Sequence, residues 1–475
     1  LSRKASTGYN GVSDQNEDLL GCTSGRKRRR GVKILKLPEL FLNEIESLLG
    51  NEKQAFLDQY NQPPHSGLRV NRLKISVADF LKISPFKLRP IPWTGDGFYY
   101  DEADRPAKHP YYHAGLFYLQ EPSAMAPVSV LDPRSGDKVL DLCACPGGKT
   151  LQIASALGGT GVIVANDIST SRIKALIRNI EMAGVTNALV LNENEAALGQ
   201  RFAGVFDKVL VDAPCSGEGM FRKDSKAVAA WSAHSPGHYR LLQDNLLDQA
   251  GIMLKSGGRL AYSTCTFNRL ENEFALEAFM QRFPEFTRAT PNPSLGLDQR
   301  TGFGRLWPHL HGGEGHFAGL LEKSADGYDS PPMIAETRQT DATASFRAFE
   351  KESLLTAMEG SFLRIQDRLY LMPVGLPSTE RLRVIRSGWY LGEEKNGRFI
   401  PSGALAMGLK PEQVKRVIRL EVDQFEVIRY LKGETISVDG EDGMNLVCLG
   451  HFPLGWGKLN QGVLKNQYPP AWRML

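Results

Sequence analysis

Between residues 138 and 263, short apolar runs alternate with longer stretches whose apolar residues recur every three or four positions. The short runs are Val139–Leu142, Val162–Ala165, Ala188–Leu191, Val209–Val211 and Arg259–Ser263. Each is too short for a buried helix and ends at glycine or polar turn residues, so each reads as a strand. Ile173, Leu176, Ile177 and Ile180 fall on one helical face, with Ser169 or Thr170 as its N-cap. Leu242, Leu246 and Ala250 mark a further helix, expected to stop at Gly257-Gly258. Such alternation predicts an α/β fold, a parallel sheet with helices on both faces. Ligands bind such sheets beyond the carboxyl ends of the strands.

The flanking pattern differs. Leu40, Phe41, Ile45, Leu48 and Leu49 give a helical pattern between Pro38 and Leu57. "SGLRVNRLKI" reads as a turn and a short strand, "ISVADFLKI" as a short helix, and the stretch from Gly97 to Met125 as a loop-rich aromatic bridge. Residues 32–125 are therefore expected to form a small α+β lead-in domain and 126–323 the sheet domain. Residues 324–345, polar with paired prolines, read as a linker. Residues 346–475 carry short strand-like pieces between glycine turns, a mixed or β-rich region. A chain of 475 residues exceeds one ordinary core, in line with this division.

Composition narrows the setting. No run of eighteen apolar residues occurs, so no membrane span is expected, and the first residues lack a signal peptide's apolar stretch. Six cysteines, without a close-spaced framework, favour reduced thiols in a cytoplasmic compartment. Of 57 Lys/Arg and 53 Asp/Glu, residues 1–31 hold seven and three, so the remainder balances, 50 against 50. Global charge thus names no nucleic-acid partner; local patches would have to. Residues 1–31 end in "RKRRR" and read as a disordered basic tail or, alternatively, an RNA-binding arm.

"VLDLCACPGGKT" (139–150) reads as strand, tight turn and helix start. Gly147 and Gly148 let the backbone pass close to a ligand at a helix N-terminus. Gly148-Lys149-Thr150 fits the end of a phosphate-binding loop, but Cys143 stands where that loop needs its first glycine. A dinucleotide fingerprint is absent. A loop shaped for S-adenosylmethionine, which has no phosphate, need match neither motif. Asp167, at the end of the second strand, is placed to bind ribose hydroxyls.

Two further strands end in thiols, "VDAPCSGEGMF" at Cys215 and "AYSTCTFN" at Cys265. Cys22 and Cys448 read as small buried hydrophobes. No C-x-x-C pair or nearby histidine completes a zinc pattern, so no metal is expected. Two thiols and the Asp212 carboxylate would converge beside the glycine loop. That set suits methylation of cytosine. Carbon 5 of the ring is a poor nucleophile until a thiolate adds to carbon 6. An acid or hydrogen-bond donor at N3 would stabilise the charge formed, and a second acid/base group would speed release.

"VLDLCACPGGKT", "LVDAPCSGEGMFRKD", "AYSTCTFN" and "YLQEPSAM" together resemble the Nol/Nop/Sun family of RNA cytosine-5 methyltransferases, in that family's order. "LRVNRLK" and the layout from "RLWPHLHGGEGHF" to "GWGKLNQGVLKNQYPPAW" resemble its bacterial RsmF/YebU-like ribosomal RNA branch. The resemblance implies a Rossmann-like methyltransferase sheet, a PUA-like C-terminal RNA-binding region, and S-adenosylmethionine as cofactor. It implies Cys265 as nucleophile, Cys215 in product release, and Asp212 at the base and cofactor. Cys143, Ala144, Cys145, Pro146, Gly147, Gly148 and Lys149 would form the cofactor loop, and Asp167 would be the ribose acid. A third-strand cofactor contact aligns near Asn194, with Glu193 as rival. DNA cytosine methyltransferases attack with the cysteine of their Pro-Cys motif, which keeps Cys215 as a rival nucleophile. The implied partner is small-subunit ribosomal RNA or the small subunit itself, with the chain a monomer; transfer RNA, or a non-catalytic assembly role, are the alternatives. Arg222, Lys223, Lys458 and Lys465 are candidate phosphate contacts, and Trp389 and Trp456 either stack on bases or fill the core.

Overall fold

Five parallel strands form the middle of the molecule: β1 (Lys138–Asp141), β2 (Val162–Asn166), β3 (Ala188–Leu191), β4 (Phe206–Asp212) and β5 (Leu254–Thr264). The molecule is described by a computed structural model covering residues 37–223, 225–233, 236–326, 341 and 343–474. The basic tail 1–31 with Cys22, and most of the linker 324–345, lie outside the described residues. The five strands lie in the order β3-β2-β1-β4-β5, each neighbouring pair parallel. Every residue of β2 and β3 is buried, as helices on both faces require. The direction of strand addition reverses between β1 and β4, which opens a crevice at their carboxyl ends.

Four antiparallel strands extend this sheet: β6 (Phe286–Arg288), β7 (Gly304–Leu306), β8 (His316–Lys323) and β9 (Val384–Ser387). β8 lies against β5 with Phe317 opposite Thr264. Running the other way, β8 begins at the edge where β1, β4 and β5 end. β9 comes from the C-terminal region and pairs with β3. Its buried Arg386 reaches Glu181 of the helix Thr170–Met182 at 3.3 Å.

Two expectations are corrected. The helix carrying Leu246 and Ala250 ends at Met253, and β5 runs straight through Gly257-Gly258. Those glycines serve the strand: Gly257 has φ +71°, and a Cβ on Gly258 would meet the Asp207 carbonyl at 2.9 Å. The aromatic bridge is not all loop. Gly97–Tyr100 and Phe117–Leu119 are strands paired on either side of Ser66–Val70. The pattern there is short and its apolar residues face a core supplied from far away. Leu68, Phe98 and Phe117 share one buried cluster with Tyr430, Tyr468 and Trp472. The remaining C-terminal strands build a four-stranded and a five-stranded sheet. Trp389 and Trp456 are buried there, their indole N–H groups donating to the Ala404 and Ser402 carbonyls, so both are core residues. No described helix is long and apolar enough to cross a membrane.

Candidate active site

The loop after β1 turns at Gly147, whose φ of +110° favours glycine, and feeds the helix Gly148–Leu157. A Cβ on Gly148 would lie 3.0 Å from the Tyr118 ring, so the backbone passes close beneath it. Cys143, Ala144, Cys145, Pro146, Gly148 and Lys149 line one cleft of about 230 Å³ with Asp212 and residues 118–121. Among its lining there is no arginine, and Lys149 is already tied to Asp212. Peptide groups, the Gln120 carboxamide and the Glu121 carboxylate suit a zwitterionic amino-acid end rather than a phosphate chain. This donor set fits S-adenosylmethionine.

Behind the loop, Asp141 is fully buried. Its Oδ2 accepts the Thr150 hydroxyl at 2.7 Å, and its Oδ1 has no hydrogen-bond partner. Burial pushes this carboxyl up to about 7, against the opposing pull of the Thr150 bond. The folded chain therefore holds this proton more tightly than the unfolded chain does. Its contribution to stability is complete below the ordinary carboxylate range and is lost as pH rises through about 7. Asp141→Asn should remove that loss, worth a few kcal/mol at about pH 8. Thermal unfolding against pH, without cofactor, checks it; parallel curves for both proteins would refute the assignment.

Asp167 directly follows β2 and is buried. Its Oδ2 accepts the Cys145 N–H at 3.1 Å and its Oδ1 the Ser169 N–H at 2.9 Å. It thereby braces the loop, and it lies outside the cleft lining. Asn194 stands apart from the cleft lining. It is exposed, and its side chain caps the helix Glu195–Arg201 by accepting from Ala197 N–H at 2.9 Å. Glu193 accepts the Arg383 N–H instead.

Asp212, at the end of β4, is gripped from three sides. Lys149 Nζ donates to Oδ2 at 2.7 Å, Ser263 Oγ donates to Oδ1 at 2.8 Å, and His316 Nε2 stands 3.5 Å from Oδ1. Burial would raise this carboxyl, but the Lys149 charge and His316 together hold it well below the carboxylate range. One loop further, Cys215 Sγ and Cys265 Sγ are 3.5 Å apart, both half-buried. The contact with Cys265, then burial, pushes the Cys215 thiol well above its ordinary range. Burial also pushes up the thiols of Cys143 and Cys145, which line the cleft.

The two thiol loops hold each other. Glu218, just past Cys215, accepts the backbone N–H of Phe267 at 2.6 Å and of Asn268 at 3.0 Å, just past Cys265. Glu271, from the other loop, accepts the Ser216 N–H at 3.0 Å. Asn268 Nδ2 bridges the carboxylates, at 3.1 Å and 2.7 Å. All three side chains are buried. A buried carboxylate that accepts several N–H groups is satisfied and fixed, so this reciprocal clamp sets the sulfur–sulfur distance. Sequence reading missed Glu218 and Glu271. The signal was a carboxylate a few residues past each thiol, ambiguous without knowing that the loops touch.

The lead-in domain is riveted to this edge. Arg69 of "LRVNRLK" donates to the Gly148 carbonyl at 2.9 Å and to Gln152 at 3.3 Å. Glu121 of "YLQEPSAM" accepts the Glu314 N–H at 2.8 Å. Arg222, expected as a phosphate contact, is instead buried against Glu314 at 2.8 Å. Lys223 stands 3.7 Å from the same carboxylate and is one-third exposed. Lys458 and Lys465 are exposed and directly opposite one another on paired strands. No cluster of three metal-ligating side chains occurs among the described residues.

Four family descriptions match the chain in order. "N-terminal domain of 16S rRNA methyltransferase RsmF" covers residues 37–122 and "16S rRNA methyltransferase RsmB/F" residues 128–322. "RsmF rRNA methyltransferase first C-terminal domain" covers 348–409, and "Methyltransferase RsmF PUA domain" 417–474. The ribosomal RNA small subunit methyltransferase F of Erwinia tasmaniensis is 33% identical over 462 residues, 91% of this chain and 96% of that protein. The Klebsiella pneumoniae protein of the same name is 32% identical, over 91% and 95%. A solved methyltransferase homologue from Pyrococcus horikoshii shares 29% identity with a TM-score of 0.52, covering 61% of this chain and 96% of that one. NSun6 from Pyrococcus horikoshii, solved with SFG, shares the fold at 22% identity and a TM-score of 0.52, covering 62% of this chain and 100% of that one. With four family descriptions matched in order and a third of its residues shared over 91% of its length, the chain belongs to the ribosomal RNA small subunit methyltransferase F family.

Proposed function

We propose that this chain methylates carbon 5 of a cytidine in small-subunit ribosomal RNA, through a covalent bond between Cys265 and carbon 6 of the ring. The family supplies the coarser statement, S-adenosylmethionine-dependent methylation of ribosomal RNA. The observation that carries the finer one is the pair of thiols 3.5 Å apart, one loop from the Asp212 carboxylate. Methylation at an oxygen or an exocyclic nitrogen needs no nucleophilic thiol, and needs two still less.

The cofactor, held by residues 143–149 with Asp167 bracing the loop, supplies an electrophilic methyl group. The remaining work falls to the chain. Cys265 attacks carbon 6 as a thiolate, the new S–C bond sending an electron pair into the ring. The Lys149 ammonium, held in place by the ionised Asp212 carboxylate, meets the base's polar edge, where negative charge builds up. Carbon 5 becomes enamine-like and nucleophilic. After methylation carbon 5 gives its proton to water, the C–H pair re-forms the ring double bond, and the S–C bond breaks with its pair returning to Cys265. Cys215, held as a neutral thiol against Cys265, is placed to assist that release. The target base must be single-stranded or flipped to enter this edge.

The test is nucleoside analysis. Small-subunit ribosomal RNA, naked and within assembled subunits, is incubated with the chain and labelled S-adenosylmethionine, then digested. Label in 5-methylcytidine is expected. Label in any other nucleoside, or in transfer RNA alone, would overturn the reading.

A further inference from the structure

Among the groups around Asp212, Lys149 and the thiols already carry roles, whereas His316, inside "RLWPHLHGGEGHF", carries none. It opens β8, the antiparallel strand beside β5. Because Phe317 faces Thr264 in that ladder, His316 is the next residue along, level with Cys265. The side chain is 5% exposed. Its Nε2 has no hydrogen-bond partner within ordinary distance, yet stands 3.5 Å from Asp212 Oδ1. Buried polar atoms are rarely left unpaired, and those that are tend to mark working positions. Catalytic hydrogen bonds are often long before substrate binds and tighten in the complex.

We propose that His316 is a positioning residue for the methylation reaction: its imidazole N–H fixes Asp212 Oδ1 from the strand side, opposite Lys149 on Oδ2. The carboxylate has two oxygens and one free torsion. Lys149 alone holds one oxygen through a flexible stem, so the other could swing. Ser263 and His316 on Oδ1 lock the plane, and a locked plane keeps the carboxylate aligned with a ring seated over Cys265. Misplacement by about an ångström is enough to cost a large factor in rate. A hydrophobic ring at position 316 would fill the same space in the strand without supplying the N–H. That separates positioning from packing.

The proposal rests on the covalent reading above, and the experiment keeps the two apart. In the full chain carrying Cys215→Ala, the rate of covalent adduct formation on small-subunit ribosomal RNA is followed by denaturing gel. His316→Phe and His316→Gln are added separately. His316→Phe should slow adduct formation about tenfold to a hundredfold, as expected for losing a hydrogen bond to a charged group. Cofactor affinity should stay within about twofold, since His316 does not line the cleft. His316→Gln, which can still donate an N–H, should recover most of the rate. An unchanged rate in His316→Phe, or equal losses in both variants, would overturn the proposal. No adduct with His316 intact would overturn the covalent reading itself, and this proposal with it.

Discussion

Cys265→Ala is expected to abolish methyl transfer and covalent adduct formation together, a loss of at least about ten-thousandfold. The size follows from the role. Without a thiolate at carbon 6, carbon 5 of cytosine has no electron pair to offer, and no other group at this edge supplies one. Asp212 is committed to Lys149 and Ser263, and Cys215 is pushed toward its neutral form by its contact with Cys265 and by burial. The variant should otherwise be intact. Cys265 is half-buried, and loss of one sulfur there costs about 1 kcal/mol. The cofactor cleft does not include it, so cofactor affinity should be unchanged. Single-turnover methylation with cofactor titration separates these quantities. Wild-type turnover in Cys265→Ala would sink the assignment; a loss matched by lost cofactor binding would point to a structural role.

The parts of this site legible in the sequence are those encoded in contiguous runs. "VLDLCACPGGKT" contains its strand, its turn and its helix start, so the cleft walls at Cys143–Lys149 follow from local rules. Cys215 and Cys265 are legible for the same reason, each standing just past an apolar run that must end at the sheet's carboxyl edge. What holds them is not local. Glu218 and Phe267 are 49 positions apart and meet only when the two loops meet. His316 escapes for a topological reason. The rule that sites lie at carboxyl ends of strands overlooks an antiparallel neighbour, whose first residue comes to the same edge. Arg222 shows the opposite failure: a basic residue beside a thiol loop invites a phosphate partner, but the chain supplies Glu314. The fold divides the same way. The parallel sheet follows from the strand–helix rhythm, whereas the β9 strand, at Val384–Ser387, is drawn in from the C-terminal region by pairing with β3. Its four residues carry no mark of that destination.

Cys215→Ala should give the other large effect, of opposite kind: the chemistry starts and does not finish. With Cys265 intact, carbon 6 is still attacked and carbon 5 still methylated. The thiol 3.5 Å from the departing sulfur is gone. Loss of a positioned acid/base group costs about a hundredfold to ten-thousandfold in the step it serves. The enzyme should therefore deliver close to one methyl group per molecule and then remain attached to its RNA. A denaturing gel would show a slower band that nuclease removes, and label from the cofactor would travel with it. Adding Cys265→Ala to the same chain should erase the band, which distinguishes a sulfur–carbon bond from tight binding. Free turnover without a shifted band would remove Cys215 from the release step. The exchanged pattern, with Cys265→Ala trapping RNA and Cys215→Ala silent, would make the Pro-Cys thiol the nucleophile.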